Sequence, residues 1–174
     1  MFLQIFATVM RHLNCEVTIS QNKTLSDDSD PLLALQGISW FLRKAIALST
    51  VTLQVTEYIE DSLTHIDIDQ TATGGIKGTS EKRCLDFVER PHKDGIFGSV
   101  EAKSRWIKLD DLDVKDPDEA KFLKGEGYGG GFLGGDDEGE EGKRHIQSLA
   151  TNVDGGSSGG WTAEQVWHAQ FFSC

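Results

Sequence analysis

Residues 22–50 read NKTLSDDSDPLLALQGISWFLRKAIALST, and the fold is decided here because the hydrophobic period changes within the stretch. Ser26, Asp27, Asp28, Ser29 and Asp30 supply N-cap side chains, and Pro31 suits a first helical position, where its missing N–H costs nothing. Leu32, Leu33 and Leu35, then Ile38, Phe41, Leu42, Ala45 and Ile46, recur at helical spacing. Gly37 interrupts them, which predicts two short helices with a break between. At Ser49 the period becomes two. A helical pair between an early strand and a run of strands predicts a lid on a β-rich domain, and a lid implies a ligand.

Downstream, Val51, Leu53 and Val55 alternate with Thr52, Gln54 and Thr56, the pattern of a half-buried strand. Glu60-Asp61-Ser62 reads as a turn. The run 63–71 puts His65, Asp67 and Asp69 on one face and Ile66, Ile68 and Gln70 on the other, so Gln70 is expected to point inward. Residues 73–78, rich in glycine, predict a turn or bulge of the kind that bends strands in small barrels. Residues 79–89 predict a strand with two possible registers. If Lys82 and Asp86 face water, Glu81, Arg83, Leu85 and Phe87 face inward. Residues 90–95 read as a hairpin-like loop, followed by a long strand over 96–109. On that strand Glu101, Lys103 and Arg105 turn outward, while Gly98, Val100, Ala102, Ser104 and Trp106 turn inward. Small residues on an inward face leave room, which favours a barrel with a cavity.

Residues 110–120 are acidic and contain Pro117, and 124–143 form a glycine- and acid-rich segment expected to be a flexible loop. Residues 145–152 can return as a strand, 155–160 form a second glycine loop, and Trp161, Ala163, Gln165 and Trp167 alternate as a last strand would, with a short helix capped by Thr162 as the alternative. The order predicts one domain over 1–174: a mainly β, antiparallel up-and-down barrel with a short helical pair after its first strand.

A length of 174 residues suits one domain with a real core, and a 38% apolar, 26% charged composition describes a globular protein. The net charge of −11 argues against nucleic acid, whose phosphates need a basic face, and against an anionic membrane surface. No window reaches the length of a membrane span. Residues 1–10, MFLQIFATVM, lack the basic flank of a signal peptide, so a cytoplasmic protein is expected. Cys15, Cys84 and Cys174 are odd in number and widely spaced, which indicates neither a disulfide framework nor zinc.

The five histidines, His12, His65, His92, His145 and His168, form no HxH or HExxH pattern, so no metal is expected. His65 and Asp67 share a strand face that alternation turns to solvent. No serine sits in a GxSxG elbow, and the glycine-rich segment has no phosphate-cradling lysine or helix after it. No cofactor is expected. What remains is a set of groups that could line a cavity. Trp40 on the helical pair, Leu53, Val55, Ile66, Ile68, Glu81, Ser104, Trp106 and Trp161 are the candidate ligand-binding residues. Arg83 and Gln70 are the candidates to donate a hydrogen bond to a ligand carbonyl inside an apolar pocket.

Four segments, NKTLSDDSDPLLALQGISWFLRKAIALSTVTLQV, HIDIDQTATGGIKGTSEKRCLDF, FGSVEAKSRWIKLDDL and GWTAEQVW, together resemble fungal lipocalin-like proteins. That group includes a pericyclase of pyrrocidine-type polyketide–peptide biosynthesis. The resemblance implies a calycin-type barrel, akin to lipocalins and fatty-acid-binding proteins. For the pericyclase branch it implies cofactor-free cyclisation of a hydrophobic intermediate in secondary metabolism. A non-catalytic carrier of fatty acids or other hydrophobic molecules would use the same cavity. Against the family pattern, Cys15 stands where a glycine is expected, and the chain ends HAQFFSC where a further strand rich in Arg, Tyr and Val would follow Trp167. The resemblance therefore leads to the expectation of a truncated C-terminus and an open barrel edge.

Overall fold

The computed structural model describes residues 15–24, 26–124, 145–154 and 160–168. The N-terminal run 1–14, nearly all of the glycine- and acid-rich segment, the 155–159 loop and residues 169–174 lie outside the described residues, and the expectations for them with it.

Two antiparallel meanders of four strands make up the fold. The first sheet runs β1 (Cys15–Ser20), β2 (Val51–Glu60), β3 (Leu63–Ala72), β4 (Ile76–Cys84) in spatial order. The second runs β5 (Arg90–Asp94), β6 (Gly98–Ile107), β7 (His145–Asn152), β8 (Thr162–His168). Every connection within a sheet joins neighbours, as the short turn signals require. Asp61 and Ser62 both take positive φ, 50° and 65°, in the two-residue hairpin between β2 and β3, the backbone twist that matches such strands.

Alternation holds along β2 and β3. Leu53, Val55, Ile66 and Ile68 are buried and form one cluster with Leu85, Ile146 and Trp167, while Ile19, Val51 and Trp106 pack against it. Each such side chain contributes about 1.5–3 kcal/mol when fully buried. The core therefore lies between the inner faces of the two sheets. Residues 85–89 carry the chain from one sheet to the other. The Leu85 N–H donates to the Thr64 carbonyl at 2.9 Å, the Phe87 N–H to the Ser104 carbonyl at 2.8 Å, and Asp86 bridges to Arg105. Among the described residues no ladder joins β1 to β8, and the ring of strands expected of a closed barrel is not completed.

The helical pair forms α1 (Asp30–Leu35) and α2 (Trp40–Leu48), with Gly37 at φ 78° between them. Ser39 caps α2 by accepting from the Leu42 N–H, and Asp30 is held by Arg43 and Lys44 at 3.2 and 3.4 Å. Only Leu33 and Ile38 of this pair are buried.

Three local expectations are corrected, and a helix appears where none had been assigned. Residues 90–94 are a strand rather than a loop: among the described residues β5 pairs with β6 alone, and an edge strand is where a proline such as Pro91 is tolerated. The long fourth strand is shorter than expected, ending at Ile107 before a 3-10 turn at Leu109–Asp111. The acidic stretch holds a helix, α3 (Pro117–Leu123), with the Asp116 carboxylate accepting the N–H groups of Asp118 and Glu119 and Pro117 in its first turn. Phe87 does not face inward. Its φ of 60° turns the ring to the outer face, where Lys103 Nζ and the Arg105 guanidinium lie 4.8 and 4.2 Å from its centroid.

Candidate functional site

The interior between the sheets is organised by Arg83. On β4, Arg83 pairs with Ile66 and Glu81 with Ile68, and because both isoleucines are core, both charged side chains turn inward. This settles the register left open by the sequence. The Arg83 side chain is only 10% exposed. Its Nε and Nη2 donate to Glu81 Oε2 at 3.0 and 2.6 Å, Nη1 donates to Ser148 Oγ at 2.9 Å, and Nη2 reaches Gln165 Oε1 at 3.2 Å. The guanidinium carbon lies 4.8 Å from the centre of the Trp167 ring. Trp167 Nε1 in turn donates to Gln165 Oε1 at 3.2 Å, and the Ser148 and Ser104 hydroxyls share a bond of 2.8 Å. One side chain of the first sheet thus fastens to β7 and β8 directly, and to β6 through Ser104.

A guanidinium carries five N–H groups. The four bonds to Glu81, Ser148 and Gln165 leave one Nη1 hydrogen without a partner among the described residues. The Arg83 charge, with its hydrogen bonds, holds the Glu81 carboxyl below the usual range against the opposing effect of burial. Arg83 is therefore a charge-compensated group with a donor to spare, on the same sheet face as the buried Ile66 and Ile68.

Ser104 belongs to this network, and Trp106 flanks it, donating from Nε1 to Thr64 Oγ1 at 3.4 Å. Gln70 also takes an inward register, opposite Leu53, but four residues from Ile66, about 13 Å along the strand from the Arg83 row. A register shift between Asp69 and Thr71 marks that end of the sheet, and an added Cβ on Gly78 would meet Gln70 Cβ at 3.1 Å. Arg83 and Gln70 therefore address opposite ends of the interior. Trp161 stands at the far end of β8 from Trp167, edge-on to Phe97 at 6.1 Å between centroids. Trp40 is not drawn to the interior: it is 64% exposed, because α2 buries none of its residues. His65 stacks on Tyr58 at 5.1 Å, and the Tyr58 hydroxyl reaches Asp67 at 3.5 Å, so this pair is half-buried on the outer face rather than fully solvated.

Ser148, Gln165 and Ile146 escaped the sequence reading as site residues. Only the pairing of β4 against the second sheet brings them to Arg83, and nothing local signals it. Glu57 was legible in principle. Extending the alternation of Leu53 and Val55 by two residues reaches it, and β2 places it on the inner face opposite Ile66. Its Oε2 is buried without a hydrogen-bond partner among the described residues, and burial pushes the carboxyl up from 4.5 to about 7.

Among the described residues no group of three or more His, Cys, Asp or Glu could hold a metal ion, and no helix is long and apolar enough to cross a membrane. No family model matches the chain, and no solved structure matches it. Two curated proteins do. The probable pericyclase scpY of Mollisia scopiformis is 32% identical over 111 residues, covering 63% of this chain and 56% of that protein. The pericyclase pydY of an Acremonium species is 29% identical over 105 residues, covering 59% of this chain and 57% of that protein. The chain spans little more than half the length of these relatives.

Proposed function

We propose that the two sheets are the walls of a lipocalin-type barrel that works as a cofactor-free pericyclase in fungal secondary metabolism. Its substrate would be a hydrophobic polyketide or polyketide–peptide intermediate met in the cytoplasm. The observation that carries the reading is the Arg83 guanidinium, largely buried on the face that carries Ile66 and Ile68, with one N–H left over among the described residues. Similarity to two proteins named pericyclases supports it.

A Diels–Alder-type closure converts three π-bonds into two carbon–carbon σ-bonds and one new π-bond, so no proton, hydride or electron enters or leaves. The protein needs only to hold a linear polyene in near-attack geometry and to polarise its dienophile. Apolar walls supply the first requirement, an entropic contribution of several kcal/mol. A hydrogen bond from Arg83 to a carbonyl conjugated with the dienophile supplies the second, since it strengthens as charge shifts onto that oxygen. Gln70 is the corresponding donor for a polar group at the opposite end of a long ligand.

The carrier reading uses the same walls, but the pairing of Arg83 with Glu81 weighs against it. A fatty-acid carboxylate would meet a cation already neutralised, at 2.6 Å, whereas a neutral carbonyl needs only the spare donor. The test is a synthetic linear polyene ketone carrying a diene and an activated dienophile, followed by chiral chromatography. Wild type is expected to accelerate closure and bias it to one stereoisomer, with Arg83→Met losing most of the acceleration. Binding without acceleration would establish the carrier. If Arg83→Ala and Gln70→Ala both leave rate and stereochemistry unchanged, neither residue has the assigned role.

A further inference from the structure

Glu57 is a polar group that nothing about Arg83 explains. The backbone register sets Glu57 of β2, Ile66 of β3 and Arg83 of β4 in one transverse row on the inner face of the first sheet. Two strand spacings separate the ends of that row, about 10 Å. Arg83 is saturated but for one hydrogen, and at the other end the carboxyl oxygen Oε2 of Glu57 is buried with no donor against it among the described residues. An unpartnered carboxylate is costly in such a place, whereas a neutral acid is not, and a neutral acid has an O–H to give.

We propose that Glu57 is a second ligand-binding residue of the interior, holding its proton and donating a hydrogen bond to a carbonyl-class oxygen of the bound molecule. This rests on the interior being a binding site, as argued above. The surroundings favour the neutral form. Opposite Glu57 on β1 stands Cys15 and on β3 Ile66. The charged groups of the row, Arg83 and its neighbour Glu81, lie beyond Ile66 and are paired with each other. From the second sheet the cluster around Ile66 receives Ile146 and Trp167, both uncharged. On its own strand the residues flanking it on the same face are Val55, which is buried, and Ile59, which is uncharged and half exposed. Burial alone accounts for the raised carboxyl. A ligand carrying two oxygens would then be read at both ends of the row, by a permanent donor at Arg83 and by a pH-dependent one at Glu57.

Prodan, a neutral aromatic ketone whose emission moves to longer wavelength when its carbonyl accepts a hydrogen bond, serves as the probe. Its affinity is measured on the full chain from about pH 5 to about pH 9, a window that brackets the titration of this carboxyl. The wild-type protein should bind it about tenfold more tightly at the acid end, with the red-shifted emission confined to that end. Glu57→Gln keeps a donor and cannot titrate, so its affinity should be flat across the window. Glu57→Leu, which refills the volume with an apolar group, should be flat and weak. Arg83→Met should weaken binding at every pH while keeping the slope. If wild type and Glu57→Gln share one pH profile, Glu57 has no such role, though the interior remains a binding site. Failure of wild type to bind Prodan at any pH overturns both readings together.

Discussion

Arg83 Nη1 donates to Ser148 Oγ at 2.9 Å across 65 residues of sequence, and this bond ties the inner face of the first sheet to the middle of the second. Without Arg83, Glu81 would be an inward carboxylate with no cation beside it, and the polar centre would separate into two halves.

Replacing Arg83 with Met is therefore expected to cost about 2 kcal/mol of stability. That is below the figure for a fully buried broken pair, because Glu81 remains 32% exposed and water can reach it. A double-mutant cycle with Ser148→Ala, read by urea denaturation, should give a coupling of about 1 kcal/mol. Additive losses would mean that the bond carries no energy of its own.

Two carboxyls give the pH dependence of stability opposite signs. The folded state raises Glu57 from 4.5 to about 7, so it binds more protons than the unfolded chain within that window. Stability should fall as pH rises from 4.5 to about 7 and be flat in this respect below it. Asp86 behaves in reverse: hydrogen bonds from the Arg90 side chain and the Val88 N–H hold it below its ordinary 3.8, so its contribution is present above that value and lost as pH falls through it. Thermal melts should place maximum stability between the two ordinary values, near pH 4 to 5. Glu57→Gln should flatten the neutral limb alone, and Asp86→Asn the acid limb alone.

Ile146 is 1% exposed at the centre of the core, whereas Phe41 on α2 is 78% exposed. Ile146→Ala should cost about 3 kcal/mol through lost burial and the cavity left behind. Trp40→Ser and Phe41→Ser should each change the urea midpoint by less than about 0.5 kcal/mol in equivalent free energy. A large loss from either would show that the helical pair supports the core.

Gly98 opens β6 at φ 74°, and a Cβ there would run into the Asp154 carboxylate that accepts the Ser99 N–H at 2.6 Å. Gly98→Ala is expected to lower stability by about 1–2 kcal/mol, from both backbone strain and displacement of Asp154. Ser99→Ala leaves that N–H in place but removes the hydroxyl that also bonds Asp154, so it should lose less than Gly98→Ala in the same denaturation assay.

Local chemistry made much of the fold legible. The alternation over Val51–Val55 and Ile66–Gln70, the break at Gly37 and the turn at Asp61-Ser62 all express backbone sterics and a two-residue period that need no distant partner. Where the reading failed, a tertiary contact won. Pro91 looks like loop punctuation until β6 offers an edge that does not need its missing N–H. Phe87 breaks the alternation because the chain must turn there to reach the second sheet, and two cations receive its ring. α3 was hidden because its acidic first turn resembles a solvated loop, although Asp116 and Pro117 carry the signal of a helix start.

By itself, then, the sequence determined that residues 51–71 make two strands sharing one face, with Leu53, Val55, Ile66, Ile68 and Gln70 on it, while the pairing of β4 was needed to bring Arg83 to that face. What only the tertiary structure decided is which polar groups meet. Side-chain period is fixed by the pleat within each strand, but the partners of Arg83 come from Ser148 and Gln165 on strands whose separation in sequence carries no periodic trace. The same packing leaves Trp40 outside in water and Glu57 Oε2 buried without a donor among the described residues, because burial is a property of what the other sheet covers and not of the residue's own neighbours in the chain.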